Sequence, residues 1–362
     1  MQRIRIWAIV HFTILTGLFL LLACSNSGPS GEAPGNEKDP SQELLSWFEE
    51  NGQYINSDKV PSIMDARVVY SMREENIHII DLRKPGDFQE AHIEHAVNLD
   101  ASQVLTYFKE SIQAAQFSHI FLVCYDLNIS GYVSGVLRLL GYDNVFAMRF
   151  GMSGWDKAIA EEYWLSSVGN FMVGIMDTTG YPRHPAGAYP SLASNSNNGF
   201  DIAMERATEI LQLPLEDYII TISELLKSPD SYYTICYWPE EKYYSNGHLP
   251  GAIQYTPKQS LGRDQYLNTL PLDKPVVVYC YSGQHSTFVA AYLRMLGYDA
   301  RSLAYGANGF IHEVMAKTEP RPSRTFTEDL IQNLPLIRGE EDQKAAEPSG
   351  ISEEKITVEG GC

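Results

Sequence analysis

Two cysteines of this 362-residue chain stand at the same place in two copies of one pattern. Cys124 follows the apolar run His119–Ile–Phe–Leu–Val and precedes a stretch ending Leu137–Arg–Leu–Leu–Gly–Tyr–Asp143. Cys280 follows Pro275–Val–Val–Val–Tyr and precedes one ending Leu293–Arg–Met–Leu–Gly–Tyr–Asp299. The offset is 156 for the cysteines (280 − 124) and for the glycines Gly141 and Gly297 (297 − 141), so the unit is duplicated. A strand that delivers a thiol to a short loop before a helix sets it against loop N–H groups and the positive end of the helix dipole. Both favour thiolate over thiol. The chemistry this suits is nucleophilic attack on a sulfur donor, with the N–H groups holding an oxyanion or the outer sulfur of a persulfide.

The two loops differ in what surrounds the thiol. Cys280–Tyr–Ser–Gly–Gln–His–Ser286 carries no acid, and Gly283 supplies the backbone freedom a tight loop needs. Cys124–Tyr–Asp–Leu–Asn–Ile–Ser130 lacks a counterpart of Gly283 and sets Asp126 beside the thiol, where a carboxylate raises the cysteine pKa and repels an anionic donor. Cys280 is therefore the expected nucleophile, with Tyr281, Ser282, Gly283, Gln284, His285 and Ser286 as its substrate-binding loop. Cys124 is a candidate second thiol site in a copy that reads as degenerate or reassigned. Cys236 is either a buried strand cysteine or a further thiol near the pocket. No cysteine pair has zinc-type or Cys-x-x-Cys spacing and the histidines are not clustered, so no metal or other cofactor is implied.

The elements that must hold these loops are legible from periodicity. Short β-branched runs at 77–81, 120–123 and 145–148, and again at 233–236, 276–279 and 300–303, read as strands. Residues 129–140 have the spacing of an amphipathic helix that stops at Gly141, and an amphipathic stretch around 222–226 opens the second unit. Strands alternating with helices predict an α/β fold, a small parallel sheet with helices on both faces in each unit. The expected organisation is a signal peptide over 1–23, a Gly/Pro/Ser/Glu-rich tether over 24–44, a first domain over 45–170, a linker over 171–205, a second domain over 206–337 and an acidic disordered tail over 338–362.

Several motifs resemble the rhodanese (sulfurtransferase) family. The Cys280 loop is similar to its Cys-x-x-Gly-x-Arg-Ser/Thr loop, and Asn246–Gly–His–Leu–Pro–Gly–Ala252 to its Gly-His-Ile-Pro-Gly-Ala segment. In the first copy, Ile80–Asp–Leu–Arg83 resembles the Asp-x-Arg strand end, and Ala91–His–Ile–Glu–His–Ala96 is a worn version of the histidine segment. Gly151–Met–Ser–Gly–Trp155 and Gly306–Ala–Asn–Gly–Phe310 match the late Gly-rich feature. The resemblance implies two rhodanese-like domains, one of them commonly degenerate, and transfer of a sulfane sulfur from a donor of the thiosulfate or 3-mercaptopyruvate class, through a Cys280 persulfide, to a thiol or other thiophile. It assigns structural roles to His92 and His248. His285 stands where the family often has Arg, so an anionic donor is held only partly and in a pH-dependent way. Cys236–Tyr–Trp238 replaces Asp-x-Arg in the second copy. Ser130 and Ser286 occupy the place where a phosphatase loop carries Arg, which argues against phosphoryl transfer.

Arg3, Arg5 and the apolar run to Leu22 read as a secretory signal, and Leu21–Leu–Ala–Cys24 resembles a bacterial lipobox, which implies cleavage before Cys24 and lipidation of its thiol. The alternative is an uncleaved anchor; either way the expected location is the cell envelope, lipid-anchored on the periplasmic side or in the outer membrane. Loss of two arginines takes the net charge from −18 to −20, unfavourable for nucleic acid. Expected partners are a small sulfur donor, a thiol acceptor, the membrane through the Cys24 lipid and an envelope protein. Cys362, at the end of the acidic tail, is either an inert surface thiol or a mobile sulfur acceptor. The competing function is a non-catalytic binding or scaffold lipoprotein of an envelope complex, linked to selenite, tellurite or electron-transfer systems.

Overall fold

The computed structural model describes residues 39–339. The signal segment, Cys24, the start of the tether, the tail from residue 340 and Cys362 lie outside the described residues. The ten strands among them are β1 (Ile63–Met64), β2 (Ile77–Asp81), β3 (Val97–Asn98), β4 (His119–Val123), β5 (Val145–Met148), β6 (Ile219–Ile220), β7 (Tyr233–Cys236), β8 (Ile253–Gln254), β9 (Val276–Tyr279) and β10 (Ala300–Leu303). They form two all-parallel sheets, ordered β1-β5-β4-β2-β3 and β6-β10-β9-β7-β8. One order maps onto the other strand for strand, as the duplication requires. The central strands β2, β4, β5, β9 and β10 are almost wholly buried, which is why they read as continuous apolar runs rather than alternating ones.

Among the described residues five helices exceed ten residues: α1 (Pro40–Glu50), α2 (Asn128–Leu139), α3 (Gly199–Ile210), α4 (Gln284–Met295) and α5 (Asn308–Thr318). Gly141 and Gly297, with φ of +92° and +93°, stop α2 and α4 in the left-handed conformation that glycine accepts at least cost. These two helices, the ones that follow the cysteine loops, pack against each other between the domains. A Cβ on Gly135 of α2 would stand 3.0 Å from the Cβ of Ala291 on α4. One apolar core thus runs through both domains, joining Leu122, Val133 and Leu137 to Val278, Phe288 and Leu293. Separate clusters cover the outer faces, around Phe121 and Trp155 in the first domain and around Tyr279 and Phe310 in the second.

The connecting segments depart from their expected boundaries. Residues 40–44, assigned to the tether, begin α1, where Leu44 and Leu45 are buried and Phe48 meets Tyr292 of α4 at 5.9 Å between rings. Residues 199–205, assigned to the linker, begin α3. The Asn-rich run that suggested a loop is its N-cap: Asn198 Oδ1 accepts from Phe200 N at 2.9 Å and Asp201 N at 3.2 Å. Asp177 pairs antiparallel with His248, so this stretch is docked on the second domain. The chain after α5 crosses back to the first domain. There Leu334 N donates to Trp155 O at 3.0 Å, Trp155 Nε1 to Pro335 O at 3.0 Å and His92 N to Ile337 O at 3.0 Å.

Candidate active site

The first loop keeps its cradle without glycine. Leu127 adopts φ +88° in the place where the second loop has Gly283. In that conformation Leu127 N–H donates to Cys124 Sγ at 3.2 Å and Ser130 N–H at 3.5 Å, with Ser130 Oγ at 3.3 Å. Packing in the shared core holds this buried leucine in the left-handed region where the second loop uses glycine. The late glycine turn braces the loop from below. Met152 N donates to Cys124 O at 2.7 Å and Ser153 N to Tyr125 O at 3.0 Å, while a Cβ on Gly151 would run into the Cys124 carbonyl. Burial, reinforced by Asp126, pushes the Cys124 thiol up to about 11. Asp126 is itself raised by burial, against the donors that hold it: Asn128 N at 3.0 Å, Asn128 Nδ2 at 2.7 Å and Tyr305 Oη at 2.8 Å.

The second loop repeats the design. Gly283 has φ +77°, and a Cβ there would stand 2.8 Å from Tyr305 N, so glycine is needed both for the angle and for the close approach. Ala307 N donates to Cys280 O at 3.1 Å and Asn308 N to Tyr281 O at 3.2 Å, the counterparts of the Met152 and Ser153 bonds. Here, however, Cys280, Tyr281, Ser282, Gly283, Gln284, His285 and Ser286 are all buried. Trp238 stacks on Tyr281 with ring centres 4.8 Å apart, and Arg324 lies 4.5 Å from the same ring centre. Ser282 Oγ meets Ser323 O at 3.4 Å, and Gln284 Oε1 accepts from Phe150 N of the first domain at 3.0 Å. A loop expected to face a donor is instead enclosed, by the Trp238 side chain, the segment around Ser323–Arg324 and the facing domain.

His285 does not act as a stand-in for arginine. It is buried against Tyr237, with ring centres 5.2 Å apart, and neither ring nitrogen has a partner among the described residues. Burial, helped by Lys258, lowers it to about 3, so the imidazole is neutral. The expected pH-dependent hold on an anion is therefore absent from this side chain.

The strand ends follow the sequence contrast. Arg83 forms a bidentate pair with Asp81 (Nη2 to Oδ2 2.7 Å, Nε to Oδ1 3.0 Å) and donates to Ala91 O at 2.7 Å, clamping the histidine segment of the first domain. Cys236 lies in the outer core of the second domain beside Tyr279, raised by burial. His92 and His248 are buried and bond backbone: His92 Nδ1 to Phe88 O at 2.9 Å, His248 Nδ1 to Leu249 O and Nε2 to Thr179 O at 3.0 Å each.

A cleft of about 950 Å³ opens over the first loop, lined by Arg83, Lys84, Asp87, Tyr125, Asp126 and Tyr163 among others. The rings of Tyr125 and Tyr163 stack at 4.5 Å, and the Tyr125 hydroxyl donates to Asp87. Leu336 and Arg338 of the returning segment complete the wall. Residues that sequence reasoning missed are Tyr305, which crosses to the first domain, and Ser323 and Arg324, which cover the second loop. Tyr305 alone left a trace, as the residue before Gly306 where the first copy has Phe150 before Gly151.

The family model for the rhodanese-like domain matches residues 65–158 and again 237–313. The chain carries two rhodanese-like domains. Both matches contain a cysteine loop, and they divide at the interface that α2 and α4 form. Relatives include the thiosulfate sulfurtransferase GlpE of Tolumonas auensis, 29% identical over 80 residues, covering 22% of this chain and 73% of the relative. The thiosulfate sulfurtransferase GlpE of Vibrio cholerae serotype O1 is 28% identical over 87 residues, 24% of this chain and 79% of the relative. Among solved structures, the thiosulfate sulfurtransferase from Pseudomonas aeruginosa aligns at 15% identity over 84% of this chain and 70% of its own, with a TM-score of 0.26.

Proposed function

We propose that this protein is a sulfurtransferase that carries sulfur on a loop cysteine, and that donor and acceptor approach through the first-domain cleft that borders the loop of the buried Cys124. The observation that carries this reading is the pairing of that cleft with two backbone N–H groups aimed at the Cys124 sulfur. In the reaction a cysteine thiolate attacks the outer sulfur of thiosulfate, the S–S bond breaks and sulfite leaves with the electron pair. The same N–H groups stabilise the terminal sulfur of the resulting persulfide, and a thiol acceptor then takes that sulfur and returns the thiolate. A 3-mercaptopyruvate donor would give up its sulfur by C–S cleavage to the same cysteine.

A second reading keeps Cys280 as the carrier, supported by its acid-free, glycine-bearing loop; it requires the cover around Ser323–Arg324 to open. A third, a binding or scaffold role, draws on the burial of both thiols. Intact mass after incubation with thiosulfate or 3-mercaptopyruvate separates them. A gain of one sulfur atom lost in Cys124→Ser and kept in Cys280→Ser supports the first reading, and the reverse pattern supports the second. No gain with either donor, in protein whose thiols are reduced, leaves the scaffold reading. An envelope location through a lipid on Cys24 belongs to the same proposal, supported by the Leu21–Leu–Ala–Cys24 motif. Mass analysis of the N-terminal peptide after expression in a bacterium tests it.

A further inference from the structure

The first-domain thiol is finished by a residue of the second domain. Tyr305 lies at the turn after β10, at φ +61°, directly before the glycine that braces the Cys280 loop. Its hydroxyl leaves that loop and donates to Asp126 Oδ2 at 2.8 Å, in the loop of the other domain. Asn128 holds the same carboxylate through its backbone N–H and its side-chain amide, and Oδ1 then stands 3.8 Å from Cys124 Sγ. Trp164 secures the backbone, its Nε1 donating to Asp126 O at 3.1 Å, and its ring meets the edge of Tyr305 at 5.0 Å. The equivalent residue in the first domain is Phe150, which has no hydroxyl, and the loop it faces has Ser282 in place of Asp126. A tyrosine and an aspartate therefore face each other at one of the two equivalent contacts between the copies, and neither occurs at the other.

We propose that Tyr305 is a positioning residue for Cys124: by donating to Asp126 it keeps that buried carboxylate charged beside the thiol, so that the second domain holds the first domain's thiol protonated at rest. A buried carboxylate remains ionised only while donors compensate for lost water, and the tyrosine hydroxyl is one of four donors here, with Asn128 N, Asn128 Nδ2 and the Cys124 thiol. The charge then disfavours a second negative charge on sulfur a few ångströms away. The other groups facing this pair are the Ser130 hydroxyl on Cys124, Tyr163 near Asp126, and Tyr218, which precedes β6 and is near enough to Cys124 to feel its charge. This inference rests on the reading that Cys124 is reached through the neighbouring cleft, but it does not require that sulfur be transferred.

The test is the rate of iodoacetamide alkylation at Cys124 between pH 7 and 10, followed by peptide mass spectrometry in the full chain. Tyr305→Phe should fold, since phenylalanine occupies the equivalent position 150. It should move the Cys124 profile to lower pH and speed alkylation at pH 8 by about threefold or more, with Asp126→Asn giving about tenfold, one unit of thiol pKa. In the double variant Tyr305→Phe should add less than about twofold to Asp126→Asn alone, because the tyrosine acts through the carboxylate. A change in loop opening scales the rate equally at every pH and leaves the profile in place, so the two effects separate. An unmoved or upward-shifted profile in Tyr305→Phe, or a shift that persists when Asp126 is asparagine, overturns the proposal. Persulfide formation measured on the same variants reports separately on sulfur transfer.

Discussion

Gly135 and Ala291 approach so closely that a side chain on the glycine would stand 3.0 Å from the alanine Cβ, and this contact sets how near the two domains come. Thr287, one turn before Ala291, similarly occupies the space beside Gly131. Small residues at the crossing allow α2 and α4 to meet almost backbone to backbone. Gly135→Leu should overpack this crossing and lower stability by about 1–3 kcal/mol. Urea unfolding followed by tryptophan fluorescence measures it, and an unchanged midpoint would show that the interface has slack.

The late glycines should be intolerant for a different reason. Gly151 and Gly306 have φ of +58° and +51°, and a Cβ on either would strike the carbonyl of the cysteine it braces. Gly151→Ala and Gly306→Ala should each cost about 1–3 kcal/mol from the backbone angle, with the collision in addition. Thermal unfolding checks the loss. The carbonyl contact further predicts faster amide exchange in the cysteine loop of the altered domain, with the other loop unaffected.

Arg83 and Asp81 form a pair that is buried on both sides, with side chains 2% and 0% exposed. Removing only the arginine leaves a buried carboxylate without its counter-charge, so Arg83→Met should cost about 3–5 kcal/mol. The double variant Asp81→Leu with Arg83→Met should recover a large part of that, since replacing both partners removes the unpaired charge. Equal denaturation midpoints for single and double variants would count against this account.

The buried histidines predict an acid-sensitive fold. Burial lowers His78 to about 4, and burial with Lys258 lowers His285 to about 3, both from an ordinary value near 6.5. The unfolded chain is then the stronger base. Stability is full above about pH 6.5 and falls as the pH drops toward 4 for His78 and toward 3 for His285, with a limiting slope of about 1.4 kcal/mol per pH unit for each imidazole. His285→Leu also removes two buried ring nitrogens that lack partners, so it should raise stability at pH 8 and raise it further at pH 5. Urea titrations at the two pH values decide it; equal gains would mean that His285 does not drive the acid loss.

Much of the fold was legible because its signals are local. The apolar strands and the glycines at the ends of α2 and α4 each act within a few residues, and the constant offset of 156 shows the same local signals written twice. The boundaries of the connecting segments were not legible, because Asn198 caps a helix with the same residue types that mark a loop, and the partner of α1 lies far along the chain.

The sequence by itself determined that two cysteines occupy matching cradles, which acids and glycines flank them, and that Asp81 and Arg83 survive in one copy only. Those are properties of neighbours along the chain. Only the tertiary structure decided which cysteine loop borders a cleft, that Leu127 can take a glycine's conformation, that His285 is buried against Tyr237, and that Tyr305 reaches across to Asp126. Access to water and the charge around a thiol depend on atoms brought together from opposite ends of the chain. In this protein the loop better composed for chemistry is the enclosed one, and the loop carrying the acid faces the cleft.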